Sequence, residues 1–343
     1  MPKILITADL HLSENPRDEY RHQFMHGLVG IVKRRKPDAL LILGDLTQEK
    51  DRHSSVLVNS VVNHLDLLAD ECPVGVLMGN HDYANESFPF FAFLGRIPNV
   101  TWIDRVMDGA RLPNGLARVL GNALFLPHTR SYQEDWAEAI PAFGSFKWIF
   151  AHNTFNGANV GFGRELEGIP LDIFPRKARV VSGDIHVPQT FGPITYVGAP
   201  YTVNYGDDYK PRLLAIEGGD AHSVSVASWP QKRLITINDV ADLDALSETL
   251  NAGDLCKVRA SIDDMGTWHS TRKAIEKWGA DIGVIVQRME PVIVAKSIKR
   301  RVRIKESDQH SDRDVLEQFG RRHDVDDKTM KLGVELLELS GDK

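Results

Sequence analysis

The chain has 343 residues, 42% hydrophobic and 26% charged, which suits a globular protein with one large domain and a smaller one. Its formal net charge of −6 argues against a protein that coats nucleic acid over its whole surface, but not against an enzyme whose metals meet a phosphate. Cys72 and Cys256 are too far apart in the chain for a zinc motif or a disulfide framework, no run approaches the roughly 20 apolar residues of a membrane span, and "MPKILITADLHLS" lacks a signal-peptide cleavage pattern, so a soluble protein of a reducing, intracellular compartment is expected.

In chain order, "KILIT" (Lys3–Thr7) reads as a short buried strand. "EYRHQFMHGLVGIVKRRK" has helical spacing, with Phe24, Leu28, Ile31 and Val32 on one face. Its basic end, Lys33 to Lys36 before Pro37, suits the last turn of a helix and reads as a solvated helix end. "DALLILGDL" is a strand, "SSVLVNSVVNHLDLLADE" an amphipathic helix and "VGVLMGNHD" a strand again, an alternation that points to a layered α/β fold. Beyond about residue 100 come shorter strands: "NVTWID", "ARVLGNALFLP", "FKWIFAHN", "ARVVSGDIHV", "ITYVGAP", "PRLLAIEG" and "HSVSVASW". These predict a second sheet packed on the first. After Trp229-Pro230 the segments "KRLITI", "VADLDALSETL", "CKVRASI", "TWHSTRKAIEKWGA" and "DIGVIVQRM" predict a compact α+β appendage. Two helices follow the run "KSIKRRVRIK", with Ser311 and Asp326-Asp327 as N-caps. The expected organisation is 1–230, 231–295 and 296–343.

Five hydrophobic strands end in residues able to hold a metal. "ILIT" runs into Asp9 and His11, "ALLIL" into Gly44-Asp45, and "VGVLM" into Gly79-Asn80-His81-Asp82; "KWIFA" runs into His152-Asn153, and "RVVS" into Gly183-Asp184 with His186. A single Asp-x-His carries almost no information. Five such ends in order carry much more, because ligands of layered α/β folds gather at the carboxyl ends of strands. Carboxylates, imidazoles and one amide without thiolate suit Mn²⁺, Fe²⁺, Zn²⁺ or Mg²⁺. The supply is too large for one ion and suits two that share a carboxylate and clamp a phosphate.

The ordered set Asp-x-His, Gly-Asp, Gly-Asn-His-Asp, His and Gly-x-x-His resembles the calcineurin-like metallophosphoesterases over roughly residues 1 to 230. "DLHL", "GDL" and "YVGAPYTVNYGDDYKPRLLAIE" (Tyr196–Glu217) look like the nuclease subunit of bacterial SbcCD complexes, and the appendage resembles that subfamily's capping domain. The resemblance implies a two-layer β-sandwich flanked by helices and two divalent ions, manganese before magnesium. Asp9, His11, Asp45 and His186 would hold one ion, and Asp45, Asn80, His152 and Asp184 the other, with Asp45 as the bridge. His81 would protonate the leaving alkoxide or steer the phosphate, oriented by Asp82. The implied function is a DNA phosphodiesterase, exo- or endonuclease, working in repair or recombination as a homodimer with an SbcC-like coiled-coil ATPase. A bacterial cell or a phage-infected host cell would house it.

One residue departs from the family pattern, which has histidine where this chain has Asp184. The swap adds negative charge and predicts a harder site that favours Mn²⁺ or Mg²⁺ over zinc. It also leaves room for a non-catalytic DNA- or ATPase-binding subunit with a degraded site, and a phosphoesterase acting on nucleotides or other small esters stands beside both. His53 and His128 lie in loops near the strand ends, where they could touch substrate. His22, His26, His64, His222, His269, His310 and His323 read as surface or helix histidines. Most of "FPFFAF" (Phe88 to Phe93) reads as core. The six basic residues between Lys296 and Lys305 read either as a phosphate-contacting strand or as a charged linker or edge strand. The last helix, with Met330, Val334, Leu336 and Leu337, could pack on its own domain or on a partner helix.

Overall fold

The structure, a computed structural model, describes residues 2–113, 115–161, 164–226, 228–294, 316 and 327–340. The chain builds β1 (Ile4–Thr7), α1 (Glu19–Arg35), β2 (Ala39–Leu43), α2 (Ser55–Ala69), β3 (Val74–Leu77) and β4 (Val100–Ile103). A second set follows: β5 (Met107–Asp108), β6 (Ala123–Leu126), β7 (Trp148–His152), a small ribbon of β8 (Ala158–Asn159) with β9 (Glu165–Leu166), β10 (Val180–Gly183), β11 (Gln189–Phe191) and β12 (Ile194–Tyr196). The chain then returns with β13 (Arg212–Glu217) and β14 (Asp220–Ser225). One six-stranded sheet has the order β14-β13-β1-β2-β3-β4 and the other β11-β12-β10-β7-β6-β5. β1 to β4 are parallel, as are β6, β7, β10 and β12.

The strands' two-residue period separates the layers. Along β1 and β2, Leu5, Leu40 and Ile42 face α1 and α2, packing on Phe24, Leu28, Val61 and Leu65. Ile4, Ile6, Leu41 and Leu43 face the other way, onto Phe125, Phe150 and Val181 of the second sheet. The result is the expected mixed α/β architecture of two packed sheets flanked by helices. Two readings are corrected. "ARVLG" is not strand: Leu116–Leu120 is a helical turn that buries Leu116 and Leu120, four apart, and the strand starts only at Ala123. The Phe88–Phe93 stretch is not mostly core, since Phe91 is buried but Phe88 is 80% exposed and Phe93 39%.

The chain divides into two compact units, Met1–Val294 and Ala295–Lys343. The first includes a parallel three-stranded sheet, β15 (Lys232–Ile237), β16 (Leu255–Ile262) and β17 (Ile285–Ile293). The helix Trp268–Ile282 covers it and buries Ile275 and Trp278 against Ile237, Val258 and Ala260. Within the second unit the helix Asp327–Ser340 is described. The run Lys296 to Lys305, Ser311 and Asp326 lie outside the described residues, as do the side chains of Leu336 and Leu337.

Candidate metal centre

The parallel strands deliver their carboxyl ends to one edge of the sandwich. β1 and β2 stay paired beyond their ends, with Asp9 N donating to Gly44 O (3.1 Å) and His11 N to Asp45 O (2.9 Å), so the turn carrying Asp9 and His11 lies against the turn carrying Asp45. Glycine is what lets the sheets close here. At Gly44 (φ 83°) a Cβ would stand 2.1 Å from His152 Nδ1, and at Gly183 a Cβ would stand 2.2 Å from Leu43 O. Among the described residues, six that are not glycine have positive φ, and four of them are Asp9 (55°), His11 (44°), Asp45 (56°) and Asp184 (89°). Left-handed backbone at such positions costs about 1–3 kcal/mol each and persists where the surroundings enforce it.

The side chains form two adjoining donor groups. In one, His11 Nε2 lies 3.0 Å from His186 Nε2 and 3.5 Å from Asp45 Oδ2. In the other, His152 Nε2 lies 3.4 Å from Asp45 Oδ1, 3.1 Å from Asn80 Oδ1 and 3.8 Å from Asp184 Oδ1. Asp45 thus turns one carboxylate oxygen toward each group. The donor atoms of Asp9, Asp45 and His152 all lie within 4.8 Å of one another. The resemblance pairs Asp9 with His11, whereas this geometry sets it beside His152. His152 Nδ1 can only donate to Leu43 O, at 2.7 Å, so Nε2 is the ring atom that faces the acids and the one that could hold a metal.

The set fits divalent cations. Asp9 Oδ2 is buried with no hydrogen-bond partner, and so is His11 Nδ1. Two imidazole nitrogens 3.0 Å apart face each other beside a carboxylate, and no thiolate is present. Burial pushes the Asp9 carboxyl up to about 8, with His152 pulling it down and the charge of Asp45 pushing it further up. Burial also raises Asp184. Burial would lower His152, but the charge and hydrogen bond of Asp45 lift it well above the ordinary imidazole value. Buried carboxylates this close to one another call for positive charge.

Around the donors, the structure redistributes the expected roles. His81 sits edge-on to His11 with ring centroids 4.8 Å apart, and its donor atom also lies within 4.8 Å of those of His11 and Asp45. Its Nδ1 is held by Gln48 O at 2.7 Å, so Nδ1 carries a proton and Nε2 is the exchangeable atom. The expectation that Asp82 orients His81 is corrected. Its buried carboxylate accepts instead from Asp45 N (2.9 Å), Gly79 N (2.7 Å) and Leu46 N (2.9 Å), and so fixes the backbone under Asp45. Gln48 carries the orienting carbonyl, and backbone carbonyls leave no signature in sequence. Thr154, also missed, donates to Asp184 Oδ2. His53 is held within its own loop by Thr47 Oγ1 (2.9 Å) and Glu49 O (3.0 Å) and packs on Phe90. His128 borders the centre, its ring 6.3 Å from that of His152 and its Nδ1 2.6 Å from Tyr83 OH. His64 lies on helix α2, but it is buried rather than at the surface.

Fold and site together define a class: an α/β double-sheet sandwich with a buried oxygen and nitrogen donor cluster at its strand ends. Residues 2–188, more than half of the chain and including every candidate ligand, match the family described as calcineurin-like phosphoesterase, and the protein belongs to that family. A protein of Invertebrate iridescent virus 6, named as a candidate phosphoesterase (244L), is 28% identical over 201 residues, covering 54% of this chain and 65% of its own length. A protein of Pseudoalteromonas sp., named as a candidate cyclic nucleotide phosphodiesterase, is 35% identical over 85 residues, 23% of this chain and 31% of that one. The chain spans less than two thirds of the length of these curated relatives. Among solved structures, a dimetal phosphatase from Danio rerio overlaps 63% of this chain and 92% of its own at 10% identity, with a TM-score of 0.37. Among the described residues no helix is long and apolar enough to cross a membrane.

Proposed function

We propose that the protein hydrolyses phosphodiesters with two divalent cations, manganese first and magnesium second, and that DNA is its substrate. The observation that carries the hydrolytic reading is Asp45, whose two carboxylate oxygens face separate donor groups 3.4–3.5 Å away. His11, Asp45 and His186 would hold one ion and Asp45, Asn80, His152 and Asp184 the other, with Asp9 beside His152 completing the donor set. Bound there, such ions supply Lewis-acid polarisation of a phosphoryl oxygen and a water acidic enough to act as nucleophile. His81, anchored through Nδ1, presents Nε2 to give the leaving alkoxide its proton.

The DNA reading is supported by the likeness of Tyr196–Glu217 and of the three-stranded layer to SbcD-type nucleases. With it come an SbcC-like coiled-coil ATPase and a second copy of the chain as partners. A second reading, hydrolysis of nucleotides or other small phosphoesters, fits at least as well. It draws on the relative named as a candidate cyclic nucleotide phosphodiesterase and on a net charge of −6. The experiment is degradation of linear and single-stranded circular DNA beside a small chromogenic diester, with Mn²⁺, Mg²⁺, Zn²⁺ or EDTA. Metal-dependent loss of DNA supports the nuclease. Turnover of the small diester that excess DNA does not inhibit moves the substrate to small esters. No turnover with less than two equivalents of bound metal moves the protein to a binding subunit.

Asp184 bears on which metal is used. An extra carboxylate makes its donor group harder, so Asp184→His is expected to raise zinc affinity relative to manganese. The position has φ 89°, which histidine tolerates better than most residues. Competitive titration of the two ions measures the ratio, and an unchanged ratio would show that Asp184 sets no preference.

A further inference from the structure

We propose that Arg21 is a positioning residue for His11, and that β15 of the three-stranded layer reaches the metal centre through it. This rests on the two-cation reading above. His11 stands in a left-handed turn (φ 44°), and side chains from elsewhere in the chain hold that turn's carbonyls. Arg21 Nη1 donates to His11 O, and Tyr201 OH donates to Leu10 O. The guanidinium is buried, and three of its four remaining hydrogens have partners: Nε on Tyr20 OH (3.3 Å), and Nη2 on Val203 O (3.3 Å) and Asp18 Oδ1 (3.3 Å). A planar fork with fixed donors suits this work, and a lysine could not reproduce it.

The chain of contacts continues into the third sheet. Asp18 Oδ1 accepts from Lys232 Nζ at 2.6 Å, and Asp18 Oδ2 from Ser13 Oγ at 2.8 Å. Lys232 opens β15 and is itself buried. Its Nζ also donates to Val203 O (3.2 Å), while its backbone N donates to Thr202 Oγ1 (2.6 Å). Gln231 Oε1 accepts from Thr202 N at 2.7 Å. One buried carboxylate, Asp18, therefore sits between two buried cations that come from different layers. Burial would raise the Asp18 carboxyl, but Arg21 and Lys232 hold it below the usual range. Buried charges this closely paired fix geometry, because moving either cation strands the other groups. Any displacement of β15 acts on Lys232, Asp18 and Arg21 in turn, and so on the turn that presents His11. Asn80, His152 and Asp184 of the other donor group receive none of these contacts.

That asymmetry supplies the test: calorimetric titration of the whole metal-free chain with Mn²⁺, with thermal melting of each variant alongside. The wild type is expected to bind two equivalents. Arg21→Lys and Lys232→Met are each expected to weaken one equivalent by about 10–100-fold, as loss of groups orienting a ligand typically does, and to leave the other unchanged. Lys232→Arg should restore the weakened equivalent. If Arg21→Lys does not fold, Lys232→Met carries the comparison. Two unaltered equivalents in folded variants would overturn the inference alone, and so would equal weakening of both equivalents in step with lowered melting temperature. A wild type that binds no manganese would overturn the two-cation reading and this inference with it.

Discussion

His81→Ala is expected to lower kcat on a phosphodiester by roughly 10²–10⁴-fold, the usual worth of a positioned general acid, while two equivalents of metal stay bound. The ring is held by one strong contact, Nδ1 to Gln48 O at 2.7 Å, which leaves Nε2 to work at the mouth of the centre. Removing the side chain leaves His81 N donating to Asp45 Oδ1 (2.8 Å), so the Asp45 carboxylate keeps its orientation. The deficit should depend on the leaving group. A nitrophenolate leaves without needing a proton, whereas an alkoxide such as a sugar oxygen does not. The variant should therefore lose much more on an alkyl ester or DNA than on a nitrophenyl ester. Rates on both esters, beside metal stoichiometry, decide the role. Loss of one equivalent of metal in His81→Ala would instead make His81 a ligand, as its distance from His11 and Asp45 permits.

Much of the fold was legible because the strands that lead into the candidate ligands are short, fully buried and end abruptly. Val74–Leu77 and Val180–Gly183 are apolar or small throughout and then break at Gly79 or Gly183 into polar loops, a local signal that needs no long-range information. The helix Leu116–Leu120 was not legible. It is only five residues long, and its buried Leu116 and Leu120 sit in an apolar run that also reads as strand. The candidate ligands were legible as residue types at strand ends, and the family resemblance grouped them. What could not be read was every relation carried by backbone. Asp82 stands beside His81 in sequence, yet its carboxylate serves three N–H groups under Asp45, because the loop turns it inward. Arg21 is one charge among several on a helix, and nothing nearby in sequence says that it reaches His11 O and Val203 O.

Asp45→Asn is expected to be the most damaging single change, abolishing tight binding of both cations and lowering turnover by about 10³-fold or more. The estimate takes several kcal/mol of transition-state stabilisation from the ions, at about 1.4 kcal/mol per decade of rate. The substitution is nearly isosteric, and an amide oxygen can still accept from His81 N where Asp45 Oδ1 does at 2.8 Å, so the metal-free fold should survive. What is lost is the charge shared between the groups around His11 and His152. Asp45 also helps to keep Asp9 protonated in the metal-free chain, its charge adding to the burial that lifts that carboxyl to about 8. Asp45→Asn also removes the charge that lifts His152, so unfolding has to be separated from lost metal binding as the cause of lost activity. Melting with and without Mn²⁺ separates the two. A chain that binds one cation at 100 times Kd gains about 2.7 kcal/mol of stability from it, so the wild type should melt higher with metal. Asp45→Asn should melt at the same temperature with and without Mn²⁺. A full metal-induced rise in the variant would show that the two donor groups bind independently, and that Asp45 is a neighbour of both sites rather than their bridge.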